Sequence, residues 1–308
     1  MRDPVYYSGS AEFFDTHAHI YDKKYSDCNT APEDILQRCR ASGVTSMLIP
    51  ADSEETSVLA IELANKYDGF EGVNLYASCG VHPHEAKTYT DDTEKFLRTC
   101  LESRKDKKIV ALGEIGLDYY YDLSERSVQR AVFEKQLELA KEYDVPIILH
   151  ERDATGDCLD ILRRFYKEGR LRSLPGVCHC CSCSLEASQE LVKMGFFIGF
   201  DGPVTFKNNK KTPEVALNTP WDRIVIETDS PYLTPEPNRG MINEPCHVAF
   251  VCGKLAEIKG VTIDEAAQIT YDNGKMLYGV NRYAKKVGCY IDLCFCNPCH
   301  RSHRRSYL

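Results

Sequence analysis

Two histidines separated by one residue, His17 and His19, are the first side chains whose type and spacing suggest chemistry. They directly follow an apolar stretch, residues 11–14, which we interpret as a buried strand. Residues two apart on a strand point to the same face, so both imidazoles converge at the end of that strand. Two neutral imidazoles placed in this way form half of a transition-metal site. A pair of surface histidines is the competing interpretation, which this motif alone does not exclude.

Further ligand-type residues follow later apolar stretches: Glu114, His150, His179 and Asp229. Taken singly, each has an ordinary interpretation as a hydrogen-bonded core histidine, a paired carboxylate or the first residue of a turn. Together with the first pair they supply four imidazoles and two carboxylates, more than one structural zinc needs. The set suits two adjacent cations that share a bridging carboxylate and generate hydroxide near neutral pH. Mixed nitrogen and oxygen donors fit Mg²⁺, Mn²⁺ or Zn²⁺ alike.

The elements that must position these side chains alternate between strand-like and helix-like patterns. Eight short apolar stretches predict a single-domain (β/α)₈ barrel of the TIM type. Their continuous apolar character is typical of parallel strands buried on both faces. The predicted strands are residues 11–14, 44–50, 73–81, 108–114, 146–150, 176–179, 196–200 and 223–229. In such a barrel the catalytic groups lie at the carboxyl ends of the strands, which is where the six candidate ligands fall.

The predicted helices rest on apolar periodicity and on end signals. Thr30 with Glu33, and Thr262 with Glu265, have the spacing of capping boxes that begin helices. Segment 201–221 holds too few apolar positions to predict a helix, so it is the weakest part of the barrel prediction. The helices are expected over residues 30–42, 53–67, 93–102, 124–143, 157–166, 185–194, 245–258 and 264–277.

Composition narrows the class of protein. The 308 residues carry a formal net charge of −8, which argues against tight, nonspecific duplex binding but not against a nucleic-acid substrate. No apolar run is long enough to cross a bilayer, and the N-terminus lacks a secretory apolar region. We therefore expect a cytoplasmic protein without membrane contact. Its barrel should occupy residues 1–284, followed by a Cys/His-rich appendage over residues 285–308.

Fifteen cysteines are many for such a chain, and without an export signal we expect thiols or metal ligands rather than a disulfide framework. Six scattered ones are interpreted as small core residues: Cys28, Cys39, Cys79, Cys100, Cys158 and Cys252. Those around His179 could pack a loop, respond to oxidation or add soft metal ligands: Cys178, Cys180, Cys181 and Cys183. The appendage could close a zinc knuckle or hold an incidental cluster, with Cys289, Cys294, Cys296, Cys299, His300 and His303.

Five motifs are specific in combination: Phe14-Asp15-Thr16-His17-Ala18-His19, Gly80-Val81-His82-Pro83-His84, Gly113-Glu114-Ile115-Gly116-Leu117-Asp118, Glu227-Thr228-Asp229-Ser230-Pro231-Tyr232-Leu233, and Pro237-Asn238-Arg239-Gly240 with Asn243-Glu244-Pro245. Through them the chain resembles the TatD family of metal-dependent deoxyribonucleases, within the amidohydrolase-like superfamily. The resemblance runs from about residue 13 to residue 280. No lysine lies between residues 109 and 134, which favours this branch over amidohydrolases that bridge their metals with a carbamylated lysine.

The resemblance implies roles for the six candidates. His17, His19 and Asp229 would bind one metal, and Glu114 would bridge it to a second metal. His150 and His179 would complete the second site, and Asp229 would also orient or deprotonate the attacking water. Similar enzymes remove nucleotides from DNA ends, which implies a 3′–5′ exodeoxyribonuclease for single-stranded DNA or a DNA end, most simply a monomer. We expect substrate contacts from His82, His84, Arg152, Lys207 and Arg239.

Departures from the family pattern leave alternatives open. Around His179 the family usually shows His-Cys-Phe-Ser-Gly, whereas this chain reads His-Cys-Cys-Ser-Cys. Loss of that glycine predicts a displaced loop and an altered substrate pocket. The tyrosines at residues 119–121 could stack on a base or pack on the barrel rim. The alternative functions are a metal-dependent ester or amide hydrolase, such as a D-aminoacyl-tRNA deacylase, and a non-catalytic metal-binding scaffold.

Overall fold

The computed structural model describes residues 3–280, so the predicted appendage at 285–308 lies outside the described residues. Within this range, eight parallel strands form one sheet in which each strand pairs with the next along the chain. All eight predicted strands are present, with shifted ends. They are β1 (Phe13–Asp15), β2 (Val44–Ile49), β3 (Asn74–Cys79), β4 (Ile109–Asp118), β5 (Ile147–Arg152), β6 (Gly176–Cys178), β7 (Phe197–Phe200) and β8 (Ile224–Ile226).

The first and last strands are the two edges of the sheet, and they lie next to each other. The Thr16 N–H donates to the carbonyl of Ile226 over 3.1 Å, and an isolated parallel bridge joins Ala18 to Ser230. The sheet is therefore a nearly closed (β/α)₈ barrel, as the sequence predicts. Seven of the eight strands each contribute one residue to an apolar cluster: Phe14, Leu48, Ala111, Ile148, Val177, Phe197 and Val225.

Helices occupy the connections between the strands and follow the last one. They are α1 (Lys23–Asp27), α2 (Pro32–Ala41), α3 (Glu54–Tyr67), α4 (Asp91–Glu102), α5 (Arg126–Glu142), α6 (Thr155–Lys167), α7 (Leu185–Lys193), α8 (Lys211–Asn218), α9 (Val248–Lys259) and α10 (Ile263–Tyr278). Across residues 3–280, none of them combines the length and the apolar character that crossing a membrane requires.

The predicted start of the first predicted helix is wrong by one residue. Helix α2 begins one residue later than predicted, with Ala31 as its N-cap and the Asp34 carboxylate accepting the Ala31 N–H over 3.0 Å. Pro32 decides this start, because proline at the first helical position has a suitable φ and lacks an N–H that would go unpaired. By contrast, Thr262 and Glu265 form the predicted capping box of α10, through bonds of 3.2 and 2.9 Å.

Segment 201–221, which holds too few apolar positions to predict a helix, contains α8. Asn209 supplies its start: the Asn209 side chain accepts the Thr212 N–H over 3.1 Å and donates to the Thr212 hydroxyl over 2.8 Å. Only three residues of α8 are buried, Thr212, Val215 and Ala216. A helix of 8 residues with so narrow a buried face gives too weak an apolar period to be seen in the sequence.

The scattered cysteines mostly behave as predicted. Cys39, Cys79, Cys100, Cys158 and Cys252 are buried, whereas Cys28 is exposed. Cys28 follows the last residue of α1, a helix of five residues that the sequence did not indicate. Because this short helix leaves Cys28 exposed, the prediction that Cys28 is a core residue was wrong.

Candidate metal centre

The six predicted ligand residues come together at the carboxyl ends of the strands. Two of them follow β1, one lies in β4, one lies in β5, and one each follows β6 and β8. They are His17, His19, Glu114, His150, His179 and Asp229. Their donor atoms form two groups, and Glu114 takes part in both.

Asp15, a residue of the first motif for which no role was predicted, fixes the residues after β1 against those after β8. Its carboxylate accepts the Thr228 hydroxyl over 2.6 Å, the Thr228 N–H over 3.0 Å and the His17 N–H over 3.1 Å. The Asp229 N–H in turn donates to the His17 carbonyl over 3.0 Å. These buried bonds hold the His17 and Asp229 side chains beside each other.

The first group consists of His17 Nε2, His19 Nε2, Glu114 Oε1 and Asp229 Oδ1. The two imidazole nitrogens are 3.1 Å apart, and each lies between 3.4 and 3.6 Å from both carboxylate oxygens. Atoms held about 2.1 Å from one tetrahedral metal are about 3.4 Å from each other. Both imidazole nitrogens therefore lie at distances from each other and from the two carboxylate oxygens that suit ligands of one metal ion.

The second group uses the other oxygen of Glu114. Glu114 Oε2 is 3.0 Å from His179 Nε2 and 3.7 Å from His150 Nδ1, and those two nitrogens are 3.2 Å apart. The imidazoles of His17 and His179 stack with ring centroids 4.2 Å apart, which places the two groups side by side. Glu114 thus presents one oxygen to each group of histidines.

The protonation of these side chains suits cation binding. Burial and the neighbouring His179 lower the pKa of His17 to about 4, so His17 is neutral and has a free lone pair at neutral pH. Burial also opposes charge on His19, but the hydrogen bond to Asp229 and the charge of Glu114 raise the pKa of His19 to about 9. The carboxylates therefore favour positive charge in this pocket, where a metal cation would replace the proton.

Both carboxylates of the two groups are ionised at neutral pH. Burial alone would raise the pKa of Glu114, but its electrostatic interactions with His17 and His179 and its hydrogen bond with His150 hold it well below its usual range. Burial also acts to raise the pKa of Asp229, and the hydrogen bond from His19 with nearby histidine charge lowers it. The donor set of nitrogens and ionised oxygens fits a pair of divalent metal ions.

Asp118 orients His150, and sequence reasoning missed it as a site residue. Its Oδ2 lies 3.0 Å from His150 Nε2 and 2.9 Å from His84 Nε2. Burial would raise the pKa of Asp118, yet these two hydrogen bonds hold it well below its usual range. Because His150 Nε2 donates to this carboxylate, Nδ1 is the atom that a metal would bind. Burial opposes charge on His150, but the hydrogen bonds to Asp118 and Glu114 raise its pKa to about 9, so the metal would displace the Nδ1 proton. Glu114 and Asp118 both lie in β4, but the predicted strand ended at residue 114, so Asp118 fell outside it.

A second acidic layer, also missed, adjoins the candidate metal centre. Cys180, Asp201 and Asp229 have potential ligand atoms within 4.8 Å of one another. Burial, and then the charge of Asp229, raise the pKa of Asp201 to about 8. Burial and the charge of Asp201 raise the pKa of Glu227 well above its usual range, and Glu227 accepts the Cys180 N–H. Asp201 and Glu227 are therefore largely protonated at neutral pH.

Two of the predicted substrate contacts, His82 and His84, lie at the candidate metal centre. The rings of His82 and His150 are 4.2 Å apart between centroids, and His82 has a potential ligand atom within 4.8 Å of others on Glu114 and His150. His82 Nδ1 accepts the His84 N–H over 3.1 Å, and burial lowers the pKa of His82 well below its usual range. A neutral His82 with this bond carries its proton on Nε2, which makes it a hydrogen-bond donor rather than a ligand.

The other three predicted contacts differ in their surroundings. The Arg152 guanidinium, at the end of β5, lies 4.1 Å from the centroid of the Tyr120 ring. The Arg239 guanidinium lies 4.1 Å from the centroid of the Phe206 ring. Lys207 is exposed, and within residues 3–280 neither it nor Arg239 forms an ion pair with the six candidate ligands. Of these three, only Arg152 is on a strand that carries a candidate ligand.

The backbone of the cysteine-rich loop after β6 does not require a glycine at residue 183. Its one positive φ, +43°, falls at Cys180 rather than at Cys183, where the family usually has glycine. The Cys181 and Cys183 sulfurs are 3.2 Å apart and both residues are buried. Cys183 therefore lies outside the left-handed region and packs into the protein, while the displacement of the loop stays a prediction.

A barrel that presents histidines and carboxylates from five strand ends is typical of metal-dependent hydrolases. Residues 14–279 match the TatD-related DNase family, and the chain belongs to that family. The metal-dependent hydrolase YabD of Bacillus subtilis is 42% identical over 268 residues, covering 87% of this chain and 99% of YabD. YcfH of Escherichia coli K12, also a metal-dependent hydrolase, is 35% identical over 268 residues, covering 87% of this chain and 96% of YcfH.

A solved structure supports the same assignment. The crystal structure of YjjV, a TatD homologue from Escherichia coli K12, superposes with a TM-score of 0.78 and is 32% identical. The match covers 89% of this chain and all (100%) of the YjjV chain. The protein is thus a metal-dependent hydrolase of the TatD family with a TIM-type barrel, as the resemblance implies.

Proposed function

We propose that this protein is a two-metal phosphodiesterase that removes nucleotides from the 3′ end of single-stranded DNA or of a DNA duplex. The observation that carries the proposal is the position of Glu114, whose two carboxylate oxygens face two separate groups of donors. The description of the family as TatD-related DNase supports DNA as the substrate. Two adjacent cations are the arrangement that phosphodiester hydrolysis commonly uses.

We assign the ligands in two sets. His17, His19 and Asp229 would hold one ion, His150 and His179 the other, and Glu114 would bridge them. Mg²⁺, Mn²⁺ and Zn²⁺ all accept these donors. When bound, such a pair of ions makes water acidic enough to ionise near neutral pH and neutralises negative charge on the phosphate.

Asp229 is the proposed general base. Its low pKa keeps it ionised, and only 17% of its side chain is exposed. The Asp229 N–H bonded to the His17 carbonyl fixes the carboxylate at the edge of the first donor group. From there it can orient an attacking water and accept its proton, provided that the water lies within hydrogen-bond reach.

On the substrate side, His82 would donate a hydrogen bond from Nε2 to a phosphate oxygen, His84 would lie beside it, and Arg152 would supply positive charge. The Asp118 carboxylate holds His84 Nε2 at 2.9 Å and so fixes the ring beside His150. Arg239 and Lys207 would contact the DNA strand farther along. The resulting positive charge offsets the negative charge of the chain at the place where the phosphates must approach.

The proposal is tested by a nuclease assay with purified protein and Mg²⁺ or Mn²⁺. We expect a 3′-labelled or 5′-labelled single-stranded oligonucleotide to be shortened from its 3′ end, and EDTA to stop the reaction. Glu114→Ala and Asp229→Ala should abolish cleavage with the fold intact by circular dichroism. Glu186→Gln is the matched control, because Glu186 is a fully exposed carboxylate in the first turn of α7. Cleavage that persists in Glu114→Ala would refute the bridging role.

The same preparation separates the alternatives. Release of an amino acid from D-aminoacyl-tRNA, without cleavage of DNA, would favour the deacylase. A non-catalytic scaffold predicts no turnover of either substrate, and loss of all bound metal when residues 285–308 are removed. We expect the shortened protein to keep its metal, since all six proposed ligands precede residue 230.

A further inference from the structure

Two exposed tyrosines stand at the edge of the candidate metal centre. Tyr120 and Tyr121, directly after β4, are 57% and 53% exposed. Their neighbour Tyr119 is different: its hydroxyl donates to Asp157 over 2.7 Å and the Arg126 guanidinium lies 4.4 Å from its ring centroid. Packing on the barrel rim therefore accounts for Tyr119 and leaves the other two rings in solvent.

The backbone of both exposed tyrosines is held by the carboxylate that orients His150. The N–H groups of Tyr120 and Tyr121 donate to Asp118 Oδ1 over 3.0 and 2.8 Å. The other oxygen, Oδ2, binds His84 and His150. One buried side chain therefore sets the position of the rings relative to the donors of the second metal group.

The two rings and Arg152 make a preformed aromatic surface. The tyrosine rings are perpendicular, at 89°, with centroids 4.9 Å apart. The Arg152 guanidinium lies 4.1 Å from the Tyr120 centroid and 4.8 Å from the Tyr121 centroid, which restrains both rings. The Tyr121 ring also meets the His84 ring edge-on, with centroids 5.3 Å apart. We call Tyr120, Tyr121 and Arg152 the aromatic rim.

We propose that the aromatic rim is a nucleobase-binding site, which stacks a base of the DNA strand while an adjacent phosphate lies at the metal centre. The inference rests on the proposed function. Exposed aromatic rings next to arginine are the usual means of holding single-stranded nucleic acid without reading its sequence, because every base has a flat face. The rim therefore selects an unpaired base and tolerates any of the four.

Binding to two matched ligands tests this site. One is a short single-stranded oligonucleotide, and the other is the same phosphodiester chain built from tetrahydrofuran residues that lack bases. Affinity is measured by fluorescence anisotropy in an Asp229→Asn background, which is expected to prevent cleavage. Tyr120→Ala with Tyr121→Ala should weaken binding of the oligonucleotide by about tenfold or more and leave the base-free chain unaffected.

Two controls show whether the rings themselves matter. Tyr120→Phe with Tyr121→Phe keeps the aromatic faces and should restore tight binding, which a role for the hydroxyls would not. Tyr166→Ala removes a tyrosine that is 52% exposed near the end of α6 and should change nothing. Unchanged oligonucleotide affinity in the double alanine variant, or an equal loss for the base-free chain, would overturn the base-binding site.

Failure of the base-binding site and failure of the proposed function give different results. If the wild-type protein cleaves DNA but the double alanine variant binds both ligands normally, only the base-binding site is refuted. If the wild-type protein does not cleave DNA, the nuclease proposal is refuted, and base-dependent binding lost in the double alanine variant would still support the rim. Absence of any base-dependent binding in the Asp229→Asn protein refutes the rim outright.

Discussion

At the scale of single residues, the candidate ligands could be predicted because their types are rare at the ends of apolar strands. Each is a histidine or a carboxylate, and a strand buried in an apolar core does not need such a side chain for packing. Asp118 could not be recognised in the same way, because its role depends on two histidines, His84 and His150, that are 34 and 32 residues away along the chain. Burial is also invisible in a sequence, so the protonated state of Asp201 had no signal.

Asp118→Asn tests whether this carboxylate orients His150. An amide cannot accept two imidazole N–H bonds as strongly as a carboxylate, so His150 should lose its fixed tautomer. We expect affinity for Mn²⁺, measured by calorimetry, to fall by about 10–100-fold. Asp157→Asn removes a carboxylate that bonds Tyr119 and Arg130 instead, and should leave Mn²⁺ affinity unchanged. Equal affinities in the two variants would contradict the role of Asp118.

Asp201→Asn tests the buried acidic layer through pH. The folded carboxyl keeps its proton up to about pH 8, whereas an ordinary aspartate releases it near 3.8. Between these values the folded state binds more protons than the unfolded state, so this group makes wild-type stability fall as pH rises. In metal-free protein, the variant should lose this pH dependence, which amounts to about 1.4 kcal/mol of unfolding free energy per pH unit.

The measurement is urea unfolding of both proteins with EDTA at several values between about pH 5 and pH 8. The stability of Asp201→Asn relative to wild type should rise with pH. Asp222→Asn, at a side chain that is 69% exposed, serves as the control and should follow the wild type. Parallel curves for Asp201→Asn and wild type would mean that Asp201 is ionised in the folded state.

At the scale of elements, the sequence predicts the order of strands and helices better than their ends. Strand β4 continues to Asp118, four residues past the predicted end at Glu114. Gly113 allows close strand pairing, because a Cβ there would lie 2.6 Å from the Ile148 side chain. A Cβ at Gly116 would lie 1.9 Å from the His150 carbonyl oxygen. The glycine therefore permits β4 and β5 to approach where both carry site residues.

Two glycines in the last helices give opposite predictions. A Cβ on Gly274 of α10 would lie 2.8 Å from the Phe14 ring, which belongs to the strand that precedes His17. A Cβ on Gly253 of α9 would lie 3.6 Å from Ile263 Cδ1, an ordinary contact. Gly274→Ala should therefore lower the free energy of unfolding by about 1–3 kcal/mol, since overpacking displaces β1.

Gly253→Ala should instead raise the free energy of unfolding by about 0.5–1 kcal/mol, because alanine favours helix more than glycine does. Urea unfolding of both variants at one pH checks the pair. The helix propensity gain is common to both, so the difference between them reports the contact with Phe14. Two variants of equal stability would show that Phe14 can move aside without cost.

At the scale of the whole molecule, alternating apolar strands and helices were enough to predict a (β/α)₈ barrel, because few other folds contain eight parallel strands in sequence order. The barrel then explains why ligands from residue 17 to residue 229 share one site. What the sequence could not supply is which atom of each ligand faces which neighbour. That information depends on strand register and closure, as with the two oxygens of Glu114.

The most direct test of the two-metal account is an anomalous difference map from crystals of the protein loaded with Mn²⁺. Two bound ions would give two peaks beside Glu114. One should lie among His17, His19 and Asp229, next to Oε1, and the other between His150 and His179, next to Oε2. A single peak, or peaks that leave either oxygen of Glu114 without a metal, would contradict the two-metal account.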